Sequence, residues 1–199
     1  ATQGGYVWEY DRASGLPLGS IYLGKEPTCV VATDSFVWSG GDGYLRKVII
    51  DAPERFLRSH EAEVPRGNIP IKGVVRAMRL IDQERLLVGA NRRLYEVNLN
   101  TDELLPKAVF KKDVLAIQPR QEKLYVLTAD CQMSVFTLAD LQPLQTLQLP
   151  PDVLGAKTPF FADFAHVTDQ FCFFASRQHH DIIKVSLSDL KVLDQLRLQ

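Results

Sequence analysis

Short runs of β-rich apolar residues alternate with polar or glycine-bearing turns along the whole chain. Tyr6–Tyr10 and Leu16–Leu23 flank the polar turn Asp11–Gly15. Thr28–Thr33, Phe36–Ser39 and Tyr44–Ile50 follow. Between the last two lies Gly40-Gly41-Asp42-Gly43, which predicts a tight hairpin turn because glycine takes up positive φ without steric cost. The same outline returns as Val74–Leu80, Leu86–Val88, Leu94–Leu99 and Leu105–Phe110, then as Val114–Gln118, Leu124–Leu127, Met133–Leu138 and Leu144–Leu149. It returns a last time as Phe160–Val167, Phe171–Ala175, Ile182–Leu187 and Val192–Leu198. Only residues 51–72, with Pro53, Pro65 and Pro70, interrupt it. That stretch reads as an insertion. Asp51 and Glu54 around Pro53 suit a capped short helix over 52–62, and an outer strand with a long loop fits equally.

Anchored on the last apolar residue of each third strand, Tyr10, Ile50, Leu99, Leu138 and Leu187 are spaced by 40, 49, 39 and 49 residues. Four short strands in each such period predict an all-β fold, a β-propeller of four-stranded antiparallel blades. A blade has two apolar faces and buries them only by stacking on neighbours. One propeller domain over 1–199 is expected. Its units are 1–25 as a half blade, 26–72 with the 51–72 insertion, 73–111, 112–151 and 152–199. With about four and a half blades, the expectation is a part of a larger propeller, completed by another chain or segment.

Ser39-Gly40-Gly41-Asp42-Gly43-Tyr44-Leu45-Arg46-Lys47-Val48 is similar to the S-G-x-D-G-x-I-x-V-W turn and third strand of WD40 repeats. The chain resembles the WD40-like propeller family over its length, as a degenerate member. No unit carries the Trp-Asp dipeptide, and the Gly-His pair that opens typical repeats is missing. Quinoprotein and NHL-type propellers share the general pattern. The resemblance implies a non-catalytic interaction scaffold that binds protein partners.

Composition narrows the function classes. With 46% hydrophobic residues, 24% charged and a net charge of −1, nothing marks a nucleic-acid binder. No apolar stretch approaches the roughly eighteen residues of a membrane helix. Residues 1–20 carry glycine, aspartate and arginine where a signal peptide needs an apolar core. Cys29, Cys131 and Cys172 are widely separated and odd in number. They read as reduced core thiols of an intracellular, cytoplasmic protein.

Candidate chemistry is sparse. His179-His180-Asp181 is the one histidine pair beside a carboxylate, but neighbours on a strand point to opposite faces, so a polar turn is favoured over a metal site. The nucleophile elbow, P-loop and dinucleotide fingerprint are all missing. No metal, no cofactor and no enzyme is expected. A propeller enzyme with a central-channel site, the least favoured alternative, needs converging polar groups on the first strands. Those strands offer apolar residues, with Arg76, Arg79 and Asp163 as exceptions. Phe160, Phe161, Phe164, Phe171, Phe173 and Phe174 read as core.

Charge becomes informative once turns are sorted by the end of the blade they occupy. The top collects Lys25, Lys72, Arg92, Lys111, Lys112, Lys157, Arg177, His179 and His180 against Glu26, Asp42, Asp113, Asp130 and Asp181. The bottom is acidic, with Asp11, Asp34, Asp82, Asp102, Asp140 and Asp169 among its carboxylates against Arg12, Arg85, Arg120, Lys123 and Lys191. Aspartate favours turns for backbone reasons, which explains the bottom better than the top. A basic top steers acidic partners. Arg92, Lys111, Lys112 and Arg177 are the foremost candidates, with Lys72, Lys157 and His179 beside them, for an acidic or phosphorylated peptide. A second class, phosphoinositide or membrane-surface binding, rests on Asn91-Arg92-Arg93-Leu94. That run lacks the Phe and Gly of the F-R-R-G motif of lipid-binding propellers.

Overall fold

Strands are the only regular elements that the computed structural model contains among the residues it describes, which are 5–22, 27–33, 35–49, 67–148, 162–178, 180–188 and 191–197. No helix among them is long and apolar enough to cross a membrane. The helix expected over 52–62 lies outside the described residues. The chain forms two compact units, Ala1–Met78 and Arg79–Gln199.

The first unit holds β1 (Tyr6–Tyr10) and β2 (Pro17–Tyr22), an antiparallel hairpin, together with β3 (Cys29–Ala32), β4 (Phe36–Ile49) and most of β5 (Gly67–Leu80). Asp11 Oδ1 closes the hairpin turn by accepting the backbone N–H groups of Ala13 (3.1 Å) and Ser14 (2.6 Å). The insertion is shorter than expected, because residues 67–72 belong to β5.

Gly40-Gly41-Asp42-Gly43 is not a hairpin turn, which corrects the sequence reading. It lies inside β4, a single strand of 14 residues. The two halves of β4 pair with different neighbours: Gly40 sits opposite Cys29 of β3, whereas Asp42 and Tyr44 sit opposite Val74 and Pro70 of β5. A register shift between Asp42 and Tyr44 absorbs the change, and Gly43 (φ 76°) supplies the positive φ of that bulge. Gly40 is glycine for space, since a Cβ there would stand 2.4 Å from Val75 Cγ1. Val37, Trp38, Leu45, Val48 and Val75 form the buried interior of this unit.

The second unit contains three consecutive antiparallel sets. These are β6 (Arg85–Ala90), β7 (Arg93–Asn98) and β8 (Leu104–Val109); β9 (Val114–Arg120), β10 (Lys123–Thr128), β11 (Gln132–Thr137) and β12 (Pro143–Gln148); and β13 (Phe164–Val167), β14 (Phe171–Ser176), β15 (Asp181–Ser186) and β16 (Val192–Arg197). The last two are four-stranded sheets. The anchors that define the sequence period do the same job in all three sets. The backbone N–H groups of Leu99, Leu138 and Leu187 donate to the carbonyls of Glu84, Glu122 and Gln170 at 2.7, 2.8 and 2.9 Å. The residues just before them repeat a second bond: Asn98, Thr137 and Ser186 donate to Glu103, Gln142 and Lys191. The middle strands are buried and the outer strands β8, β12 and β16 largely exposed.

Neighbouring sheets pack through their first two strands. Gly89 of β6 lets Val114 of β9 approach, because a Cβ on Gly89 would lie 2.6 Å from Val114 Cγ1 and 3.0 Å from its Cβ. By the repeat, the corresponding residues one sheet later are Leu127 and Ala162, where the large and small partners are exchanged. Both are buried in the cluster that joins β9–β12 to β13–β16. Gly89→Ala is therefore expected to destabilise the second unit by about 1–3 kcal/mol through overpacking. Urea unfolding checks it, and a midpoint equal to wild type rules the contact out.

Candidate functional site

Backbone hydrogen bonds tie one end of the second unit into a continuous rim. The β6–β7 turn accepts from the start of the next sheet, Val114 N–H to Asn91 O at 2.7 Å, and from the end of its own, Phe110 N–H to Arg92 O at 2.8 Å. Ala129, in the β10–β11 turn, donates to Asp113 O and accepts from Ala162 N–H. Asp163 N–H then donates to Ala175 O, next to the β14–β15 turn. This chain of bonds places Arg92, Lys111, Lys112 and Arg177 along one edge. All four are exposed.

The rim's charges divide in a way the sequence alone does not state. Two of its carboxylates serve the rim's own turns: Asp130 Oδ1 accepts from Thr128 Oγ1 (2.6 Å), and Asp163 Oδ2 accepts the Arg177 backbone N–H (2.7 Å). Asp181 is buried, accepting from Gln195 Nε2 (3.0 Å) with Arg197 Nε 3.5 Å away. Arg92 and Lys111 make no ion pair among the described residues. The Arg177 guanidinium lies 4.9 Å over the ring of Phe164. Phe164 is nonetheless 53% exposed, which corrects its reading as core; Phe174 is fully buried, and Phe171 and Phe173 are half-buried. Lys72 is exposed in the first unit, on β5. Lys157, His179, Phe160 and Phe161 lie outside the described residues. His180 is exposed at positive φ (54°) in its turn. Among the described residues no group of three or more His, Cys, Asp or Glu side chains is arranged to hold a metal.

In the opposite turns Asp11 and Asp82 each accept backbone N–H groups of their own turn. Burial works against ionisation of Asp82, but the Arg85 guanidinium (2.8 Å) and the backbone N–H groups of Glu84 and Arg85 (2.9 Å each) outweigh it and hold the carboxyl below its ordinary range. Hydrogen bonding from Ser14 lowers Asp11 similarly, and from Thr137 lowers Asp140. Sequence reasoning placed Arg85 at this end but missed its role: its Nη1 reaches across to the carbonyls of Leu138 (3.3 Å) and Ala139 (2.9 Å) and ties two sheets together. It also missed a cleft of about 480 Å³ near Arg120 and Asp169. The anchor spacing held the signal for both, since it places Arg85 and Lys123 in register.

No family model matches the chain, and no curated protein matches it in sequence. Among solved structures it is similar to the crystal structure of a computationally designed protein, Ika8, with a TM-score of 0.65 at 14% identity, covering 97% of this chain. The chain spans 56% of that protein's length. At such identity the likeness is one of fold alone.

Proposed function

We propose that the chain is part of a degenerate WD40-like β-propeller, a non-catalytic scaffold inside the cell that binds a protein partner through the rim of Arg92, Lys111, Lys112 and Arg177. The partner offers an acidic or phosphorylated peptide, and another chain or segment completes the propeller. The reading is supported chiefly by the division of charge on the rim. Three of its carboxylates, Asp130, Asp163 and Asp181, are spent on turns and neighbours, while Arg92, Lys111 and Arg177 are exposed to an approaching molecule. Arginine's planar fork suits carboxylate and phosphate. A cationic rim also raises the association rate of an acidic partner.

Affinity capture with the wild-type chain and with an R92E/R177E variant tests the reading. Charge reversal is expected to remove the acidic partners and to weaken their association about tenfold or more, the loss being larger at low salt. Capture of the same partners by both proteins defeats the proposal. Sedimentation with anionic vesicles is the companion measurement. A scaffold of this kind stays in the supernatant, and co-sedimentation abolished by R92E/R177E would transfer the rim to a lipid headgroup.

A further inference from the structure

The repeat leaves one slot filled and the next one open. Arg85, the first residue of β6, sits opposite Asn98, immediately before the anchor Leu99. Lys123 of β10 sits opposite Thr137, immediately before Leu138. Arg85 and Lys123 are therefore equivalent. Arg85 extends into the junction with the next sheet and donates to the carbonyls of Leu138 and Ala139. Their counterparts one sheet on are Leu187 and Ser188. Lys123, Leu187 and Ser188 all line the cleft of about 480 Å³ between the turns of β9–β12 and β13–β16. Where the first junction holds its own guanidinium against two carbonyls, the second holds a cavity.

The rest of the lining decides what enters. Arg120 and Lys123 flank the β9–β10 turn, and among the described residues the only carboxylate in the lining is Asp169. Asp169 holds Arg120 loosely, at 3.6 Å and with its own side chain 91% exposed. An ion pair of that kind contributes little in water and yields readily to a better acceptor. Ser186 and Ser188 add hydroxyls 2.9 Å apart, and Tyr125 and Phe171 give the cleft aromatic walls. The Lys184 ammonium lies 3.9 Å over the Phe171 ring and backs that wall.

We infer that this cleft is a binding site for an acidic residue within a peptide, with the carboxylate taken by Arg120 and Lys123. The peptide's backbone N–H groups meet the Leu187 and Ser188 carbonyls, as Arg85 meets their counterparts. Arg120 exchanges Asp169 for the incoming carboxylate, a planar acceptor that matches its fork. The site lies at the end of the second unit opposite the rim and does not depend on it.

Heteronuclear NMR of the nitrogen-labelled full chain, titrated with acetyl-Ala-Glu-Ala-amide, tests the inference. Saturable shifts are expected at the amides of Gln121, Leu187 and Ser188. R120Q and K123Q are each expected to weaken binding about tenfold. D169N is expected to tighten it severalfold by releasing Arg120, a gain that a merely structural role for Asp169 does not produce. All three side chains belong to exposed turns or strand ends, so the variants fold. Butyrate, which has the single carboxylate without the N–H groups, is expected to bind about tenfold more weakly. R92E/R177E is expected to titrate as wild type does, which separates this site from the rim. The inference is overturned if those amides do not shift, if D169N binds more weakly, or if butyrate or inorganic phosphate matches the peptide.

Discussion

Phe174→Ala is expected to lower the stability of the second unit by about 3–5 kcal/mol, the range for deleting a buried aromatic ring. Phe174 on β14 is fully buried among Leu127, Met133, Val167, Ile183 and Val185, residues that come from both four-stranded sheets. The ring is thus part of the seam between them. Two strand positions alternate around it: Cys172 and Phe174 face the seam, while Phe171 and Phe173 face away and remain half-buried. Phe164→Ala is the control, because its ring is 53% exposed and its main interaction is the stacked Arg177 guanidinium. Its loss is expected to be no more than about 1 kcal/mol. Urea midpoints at equal m-values separate the two. Equal losses would mean that the sheets do not meet through Phe174.

The contrast between these phenylalanines shows how far the sequence could be read. The anchors Leu99, Leu138 and Leu187 were legible because each ends a strand just before a polar turn, and a turn of that kind is written in adjacent residues. All three prove equivalent down to one backbone hydrogen bond. Burial was less legible. An apolar run such as Phe171–Ala175 does not say which face meets a neighbour, and Phe164 finds its stacking partner in Arg177, thirteen residues on. Gly40–Gly43 misled for a related reason. Glycines that permit a hairpin also permit a bulge and a close approach, and what decided between them was the partner strand beginning at Gly67. The local signal was the same in either case.

The candidate site divides along the same line. Arg92, Lys111, Lys112 and Arg177 could be placed on one end from strand counting alone, and the backbone bonds from Asn91 to Asp163 put them on one edge. That the neighbouring carboxylates are occupied could not be read, because Asp130, Asp163 and Asp181 look in sequence like any turn aspartates. Their partners Thr128, the Arg177 amide and Gln195 are chosen by register. The cleft was hidden more deeply. It arises from the exchange of Arg85 for Lys123 at equivalent positions, a difference that matters only once the two junctions are superposed.

The buried thiols give the second large effect, and it appears in alkali. Burial pushes Cys131 and Cys172 up to about 12 from an ordinary 9.0, with Asp130 adding to the rise at Cys131. In the folded chain both therefore stay protonated well beyond the pH at which they ionise once unfolded. A raised acid pKa stabilises fully below the unfolded value and loses that contribution as pH climbs from 9 toward 12. At pH 10 each thiol favours the unfolded chain by about 1.4 kcal/mol, and the two together by about 3 kcal/mol. The informative comparison is with a Cys131→Ala/Cys172→Ala variant, in which every other ionisable group is unchanged. The variant is expected to start less stable at neutral pH, because two small cavities open in the seam. It is then expected to decline more slowly, and the two stability curves should converge by about 3 kcal/mol between pH 8 and 10. Curves that stay parallel would mean that the thiols ionise as readily in the folded chain as in the unfolded one. The seam between the two four-stranded sheets would then be open to water, and the Phe174 prediction would fall with it.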